Sequence, residues 1–157
     1  MKLSIALLLL ASTCFAQKKP CDLIKQDEAD AVLGASKQLD LGAMGCSYSN
    51  RDKGVRITLV TLDVGTAAAK TYEGLKQKTK DSGWLFGDEG AMGSAAYAEL
   101  IKRSAQSSSG KCGFVVLKGN RVIQIHVSDS ANKDDLAGKK EMLDKLRPLA
   151  KKIVERS

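Results

Sequence analysis

Apolar and polar residues alternate with two different periods along this chain of 157 residues. From Asp22 to Leu33 the apolar side chains Leu23, Ile24, Ala29, Val32 and Leu33 recur at helical spacing, and Gly34 is placed to stop the helix. Short runs richer in β-branched residues follow. Ser36–Leu41 reads as a short strand, Gly42–Gly45 as a turn-rich link and Cys46–Asn50 as a strand. Asp52-Lys53-Gly54 then offers a hairpin turn into Val55–Asp63. Helical period returns over 67–82, with Thr66 as the expected N-cap. Ala68, Tyr72, Leu75 and Thr79 mark its buried side; Lys70, Lys76, Lys78 and Lys80 mark its wet side, and Gly83 ends it.

The second half is mostly strands. Trp84–Phe86 is a short extended piece, Gly87–Gly93 a glycine-rich loop, Ala95–Ile101 a strand and Arg103–Gly110 a polar, Ser-rich loop. Cys112–Lys118 and Arg121–Ser128 flank Gly119-Asn120, a strong two-residue turn signal. Asp134–Val154 closes the pattern as a helix with Leu136, Leu143, Leu146, Leu149, Ala150 and Ile153 on one side. Pro148 predicts a kink there, or a break with proline opening a new turn. Strands joined by tight turns are antiparallel. The expected fold is therefore α+β: a single domain with an antiparallel sheet of about five to six strands packed against two to three helices.

The first sixteen residues follow neither period. Lys2, the apolar run Leu3–Leu10 and the small residues before Gln17 have the layout of a secretory signal peptide. The run is shorter than the roughly 20 residues a membrane-spanning helix needs. The expected division is a signal peptide over 1–16 and one domain over 17–157, with the protein periplasmic or secreted. A second cut would make Cys14 a lipidated first residue, but Ala11 and Thr13 stand where a lipobox has Leu and a small residue. Membrane attachment is expected only on that second route.

The net charge of +7 favours a soluble monomer with weak attraction for anionic surfaces. Many lysines fall in the last helix, where they read as a solvated face. Aromatics are 4 % of the chain, too few for base-stacking platforms, so no specific nucleic-acid partner is expected. Beyond the leader, Cys21, Cys46 and Cys112 allow three pairings and leave one thiol over. Cys112 alternates with Phe114 and Val116, as a buried small hydrophobe would.

Candidate chemistry is sparse. His126 is the one histidine and reads as an ordinary half-exposed strand residue sharing a face with Gln124 and Val122. Asp88 and Glu89 adjoin in sequence and are expected to point apart. Ser108-Ser109-Gly110-Lys111 has a Ser-x-x-Lys spacing but lies in a loop rather than opening a helix. Gly83–Gly90 lacks the lysine of a phosphate loop. Trp84 and Phe86 read as core residues. No catalytic, cofactor or metal site is expected.

Cys21-Asp22-Leu23-Ile24, Glu28, Val32-Leu33-Gly34 and Cys46-Ser47-Tyr48 together resemble the opening of small secreted and lipoprotein domains of unknown function found in bacteria. Gly87-Asp88-Glu89-Gly90-Ala91 and Val116-Leu117-Lys118-Gly119-Asn120 are similar to that group's later loop and hairpin. The group is related in shape to the extracellular sensor domain of a bacterial receptor-type serine/threonine kinase. The resemblance implies an antiparallel sheet against helices, a Cys21–Cys46 disulfide and no enzyme activity. Two departures are Lys25 in place of a Thr cap and the additional Cys112. The expected function is an exported, non-catalytic binding or sensor-like domain for an unidentified ligand or envelope protein. The alternative is a cationic protein associating with anionic envelope polymers or a membrane surface.

Overall fold

The computed structural model describes residues 18–82, 84–101, 110–129 and 135–157. Seven strands form one antiparallel sheet: β1 (Lys37–Asp40), β2 (Gly45–Asn50), β3 (Val55–Asp63), β4 (Leu85–Asp88), β5 (Ala95–Ile101), β6 (Gly110–Lys118) and β7 (Arg121–Asp129). Their order across the sheet is β1-β2-β3-β7-β6-β5-β4, so each half is a meander and the two halves join through β3 and β7. The helices are α1 (Gln26–Leu33), α2 (Ala68–Asp81) and α3 (Leu136–Arg156). The architecture is α+β as expected. The strand count exceeds five to six because both short extended pieces read from the sequence, 36–41 and 84–86, overlap true edge strands, β1 and β4, of four residues each.

Alternation divides the core between the two faces of the sheet. Tyr48, Ile57, Leu59, Phe114, Ile123 and Ile125 point toward α1 and α3 and form the larger cluster with Leu33, Leu146 and Ile153. Val115, Val122 and Tyr97 point the other way and meet Ala68 and Tyr72 of α2. Arg147 on α3 stacks over the Phe114 ring, 5.6 Å from its centroid.

The N-terminal segment is not one helix. Pro20–Leu23 forms a 3₁₀ turn, Ile24 is extended, and α1 starts only after Lys25. The Tyr48 hydroxyl donates to the Ile24 carbonyl (2.8 Å), taking the acceptor that a continuous helix would have used. Lys25 has no side-chain acceptor to cap α1, yet Glu28 supplies its half of a capping box by accepting from the Lys25 amide (3.2 Å). Glu28 also accepts from Arg156 (2.5 and 2.7 Å) and pairs with Lys152 (3.2 Å), which clasps the end of α3 onto the start of α1. Those hydrogen bonds, Arg156 foremost, outweigh burial and bring the Glu28 pKa down to about 2. Gly34 takes φ +77°, a stop that a side chain would strain.

Thr66 is not a cap. It lies in a 3₁₀ turn over Gly65–Ala67, and α2 begins without a side-chain cap. Lys76 leaves the expected wet row to pair with Asp88 (2.6 Å). Pro148 neither breaks nor divides α3, which runs as one helix of 21 residues. It sits on the exposed side of the helix, as does Asp144, whose carbonyl a proline four residues on cannot bond. The true N-cap of α3 is Asp135, which accepts from the Ala137 amide.

Candidate functional site

A concavity of about 470 Å³ lies at one end of the sheet. The 3₁₀ turn before α1 gives Pro20 and Leu23; the Gly42–Met44 turn after β1 gives Ala43 and Met44; the end of β3 gives Thr61, Leu62, Asp63 and Val64. Lys18, Lys19 and the Arg121 side chain at the start of β7 complete the wall. Arg121 stands 3.6 Å from Asp63, whereas Lys18 and Lys19 have no ion-pair partner among the described residues. The cleft thus joins an apolar wall to two uncommitted ammonium groups. Met44 is 65 % exposed beside it. Its volume falls within the range of small-molecule sites.

A disulfide supports one wall. Cys21 and Cys46 are joined with their Cα atoms 5.0 Å apart, tying the 3₁₀ turn to β2. Cys112 is free and buried, and burial pushes its thiol pKa up to about 12 against a small opposing effect from Lys139. Such a thiol is inert at neutral pH.

His126 is not half-exposed. It is buried on the α2 face, with Nε2 2.6 Å from Glu99 Oε1. Glu99 Oε2 accepts from the Thr79 hydroxyl of α2 (2.7 Å). Burial drives the Glu99 carboxyl upward, but the His126 hydrogen bond and charge, the Thr79 bond and the Lys111 charge hold it below the usual carboxylate range. Sequence reading missed Glu99, the one acid in the otherwise apolar β5 run Ala95–Ile101; that isolation was the available signal.

Asp88 and Glu89 point apart as expected. Asp88 pairs with Lys76 of α2, and Glu89 with Arg147 of α3 (2.8 Å), on opposite sides of the sheet. Trp84 is half-buried, and among the described residues it is in neither core cluster. The Phe86 side chain and Ser108-Ser109 lie outside the described residues. Among the described residues no group of three or more His, Cys, Asp or Glu side chains is arranged to hold a metal ion. No described helix is long and apolar enough to cross a membrane. No protein-family model matches this chain, and no curated protein matches it.

Proposed function

We propose that this protein is an exported, non-catalytic binding domain whose cleft takes a small amphiphile with an anionic end. The observation that carries the reading is the cleft of about 470 Å³, where Leu23, Met44, Leu62 and Val64 stand beside Lys18 and Lys19, which have no ion-pair partner among the described residues. An apolar chain displaces water from the wall, and the anionic end meets the two ammonium groups. The disulfide fits an oxidising compartment, and the leader-like first sixteen residues fit export. The resemblance of its short motifs to those of bacterial secreted domains also favours a binding role.

The test is calorimetric titration of the protein with decanoate and, separately, decanol. Decanoate is expected to bind more tightly than decanol. Met44→Glu changes an exposed side chain and is expected to weaken decanoate binding by about tenfold, the equivalent of roughly 1.5 kcal/mol of apolar contact. Equal affinity in wild type and variant, or no heat from either ligand, would overturn the cleft as the site.

A further inference from the structure

A row of side chains crosses the sheet on the face that carries α2. Strand register places Lys37 opposite Ser49, Ser49 opposite Arg56, Arg56 opposite Ser128 and Ser128 opposite Lys111. Residues directly opposite one another in antiparallel strands share a face. The five therefore form one line across β1, β2, β3, β7 and β6, with cations on alternate strands and hydroxyls between them. Strands lie about 4.8 Å apart, so the cations recur about every 10 Å over a span of about 19 Å. Lys37 and Arg56 are exposed, and Ser49, Ser128 and Lys111 are half-buried.

Among the described residues none of the three cations makes a direct ion pair, although the Lys111 charge acts at longer range on the buried Glu99. That separates them from Lys76, Arg121, Arg147, Lys152 and Arg156, each of which meets a carboxylate. The next row on the same face reads Leu39, Ser47, Thr58, His126, Gly113 and Glu99, and its one acid is buried against His126. Two exposed acids lie within three residues of the row, Asp40 after Lys37 and Asp52 in the β2–β3 turn, where Arg51 and Lys53 flank Asp52. Asp40 and Asp129 belong to the opposite face by register.

We infer that this row is a docking track for a linear polyanion that carries phosphate or sulfate groups and no bases. The guanidinium of Arg56 can grip a tetrahedral oxyanion through two parallel hydrogen bonds, and the serine hydroxyls can donate to oxyanions between the cations. No residue of the row is aromatic, so it offers no stacking platform, which favours a polymer without bases over a nucleic acid. The track uses none of the residues that line the cleft, and it stands or falls separately from the reading above.

The experiment measures binding of the folded protein to short-chain inorganic polyphosphate, to dextran sulfate and to a single-stranded oligonucleotide of matched charge. Three neutralised charges on a flexible chain predict a loss of about 20-fold between 50 and 200 mM salt, from a slope of roughly −0.7 per contact. Lys37→Gln, Arg56→Gln and Lys111→Gln together are expected to remove most of the affinity and most of that salt slope. Lys70→Gln, Lys140→Gln and Lys151→Gln remove the same charge from exposed helix positions and are expected to leave binding within about twofold of wild type. The double variant Lys37→Gln/Arg56→Gln keeps the half-buried Lys111, serves if the triple variant does not fold, and is expected to lose about two-thirds of the slope. Binding of polyphosphate identifies the phosphate source, and preference for dextran sulfate identifies the sulfate source; either supports the track. Equal losses in the row and control variants, tighter binding of the oligonucleotide, or no binding of any polymer would overturn it.

Discussion

Glu99 and His126 lie two strands apart and still meet, Oε1 to Nε2, at 2.6 Å. The residue between them on β6 is Gly113. A Cβ there would stand 2.5 Å from the imidazole Cδ2 and 2.1 Å from the Ile125 carbonyl oxygen. The glycine is the space through which the pair forms, and the second of those contacts is backbone that no rotamer change can relieve. Gly113→Ala is therefore expected to cost about 2–4 kcal/mol, read as a lowered midpoint in chemical denaturation. A variant as stable as wild type would show that the sheet yields there.

His126→Gln separates the pair from the space. It leaves the Glu99 carboxylate buried with one hydrogen-bond donor changed, and a loss of about 1–3 kcal/mol is expected. A half-exposed strand histidine, as the sequence reads His126, would tolerate this substitution. The expected loss follows from the burial and the Glu99 partner, and an unchanged melting curve would restore the sequence reading.

The Cys21–Cys46 bond closes a separation of 25 residues. Loop-closure entropy gives about 3 kcal/mol for such a loop, so Cys21→Ser with Cys46→Ser should lower stability by about that amount. Non-reducing peptide mapping should recover the linked pair. Native protein should react with a thiol reagent at Cys112 only as fast as it unfolds, because a buried thiol with a pKa of about 12 presents almost no thiolate at neutral pH. Rapid labelling would contradict that burial.

Glu28 sets an acid limit on stability. Its carboxyl pKa falls to about 2 in the folded protein, held there first by Arg156, against an ordinary value of 4.5. A depressed carboxylate stabilises above its unfolded pKa, and the contribution disappears as pH falls through the window from 4.5 toward 2. Glu28→Gln is expected to lose about 1–3 kcal/mol at pH 7 and to show a flatter decline between pH 5 and 3 than wild type. Parallel pH profiles would assign the acid sensitivity to other carboxylates.

Export has a direct readout as well. Intact mass of protein recovered from the producing cell should begin at Gln17, and retention of Met1 would exclude removal of the leader.

The strands with strong local pattern were legible in the sequence: Val55–Asp63 and Ala95–Ile101 fall on β3 and β5 residue for residue, and the Gly119-Asn120 turn joins β6 to β7. The misses share a cause, which is that a partner distant in the chain decided them. Ile24 leaves the helix because Tyr48 claims its carbonyl. Glu99 tolerates burial because His126 and Thr79 reach it from β7 and α2. The cleft is assembled from the segment before α1, the turn after β1, the end of β3 and the start of β7, and no local window contains it. The cationic row is equally invisible along the chain, since its members become neighbours only through strand register.

The joining of β3 to β7 has a temporal consequence. Their ladder aligns nine residue pairs, Val55 with Asp129 through Asp63 with Arg121, as many as the β6–β7 hairpin, but its partners lie much further apart in the chain than those of any hairpin in the sheet. As the chain is synthesised from its N-terminus, Cys21 and Cys46 can be cross-linked and β1–β3 can zip before the partner of β3 exists. Until then β3 is an unfinished border with a full row of free amides and carbonyls, and closing a contact of such long range is intrinsically slow. The polar side chains Arg56, Thr58 and Thr61 along that strand interrupt what would otherwise be an unbroken apolar border during the wait.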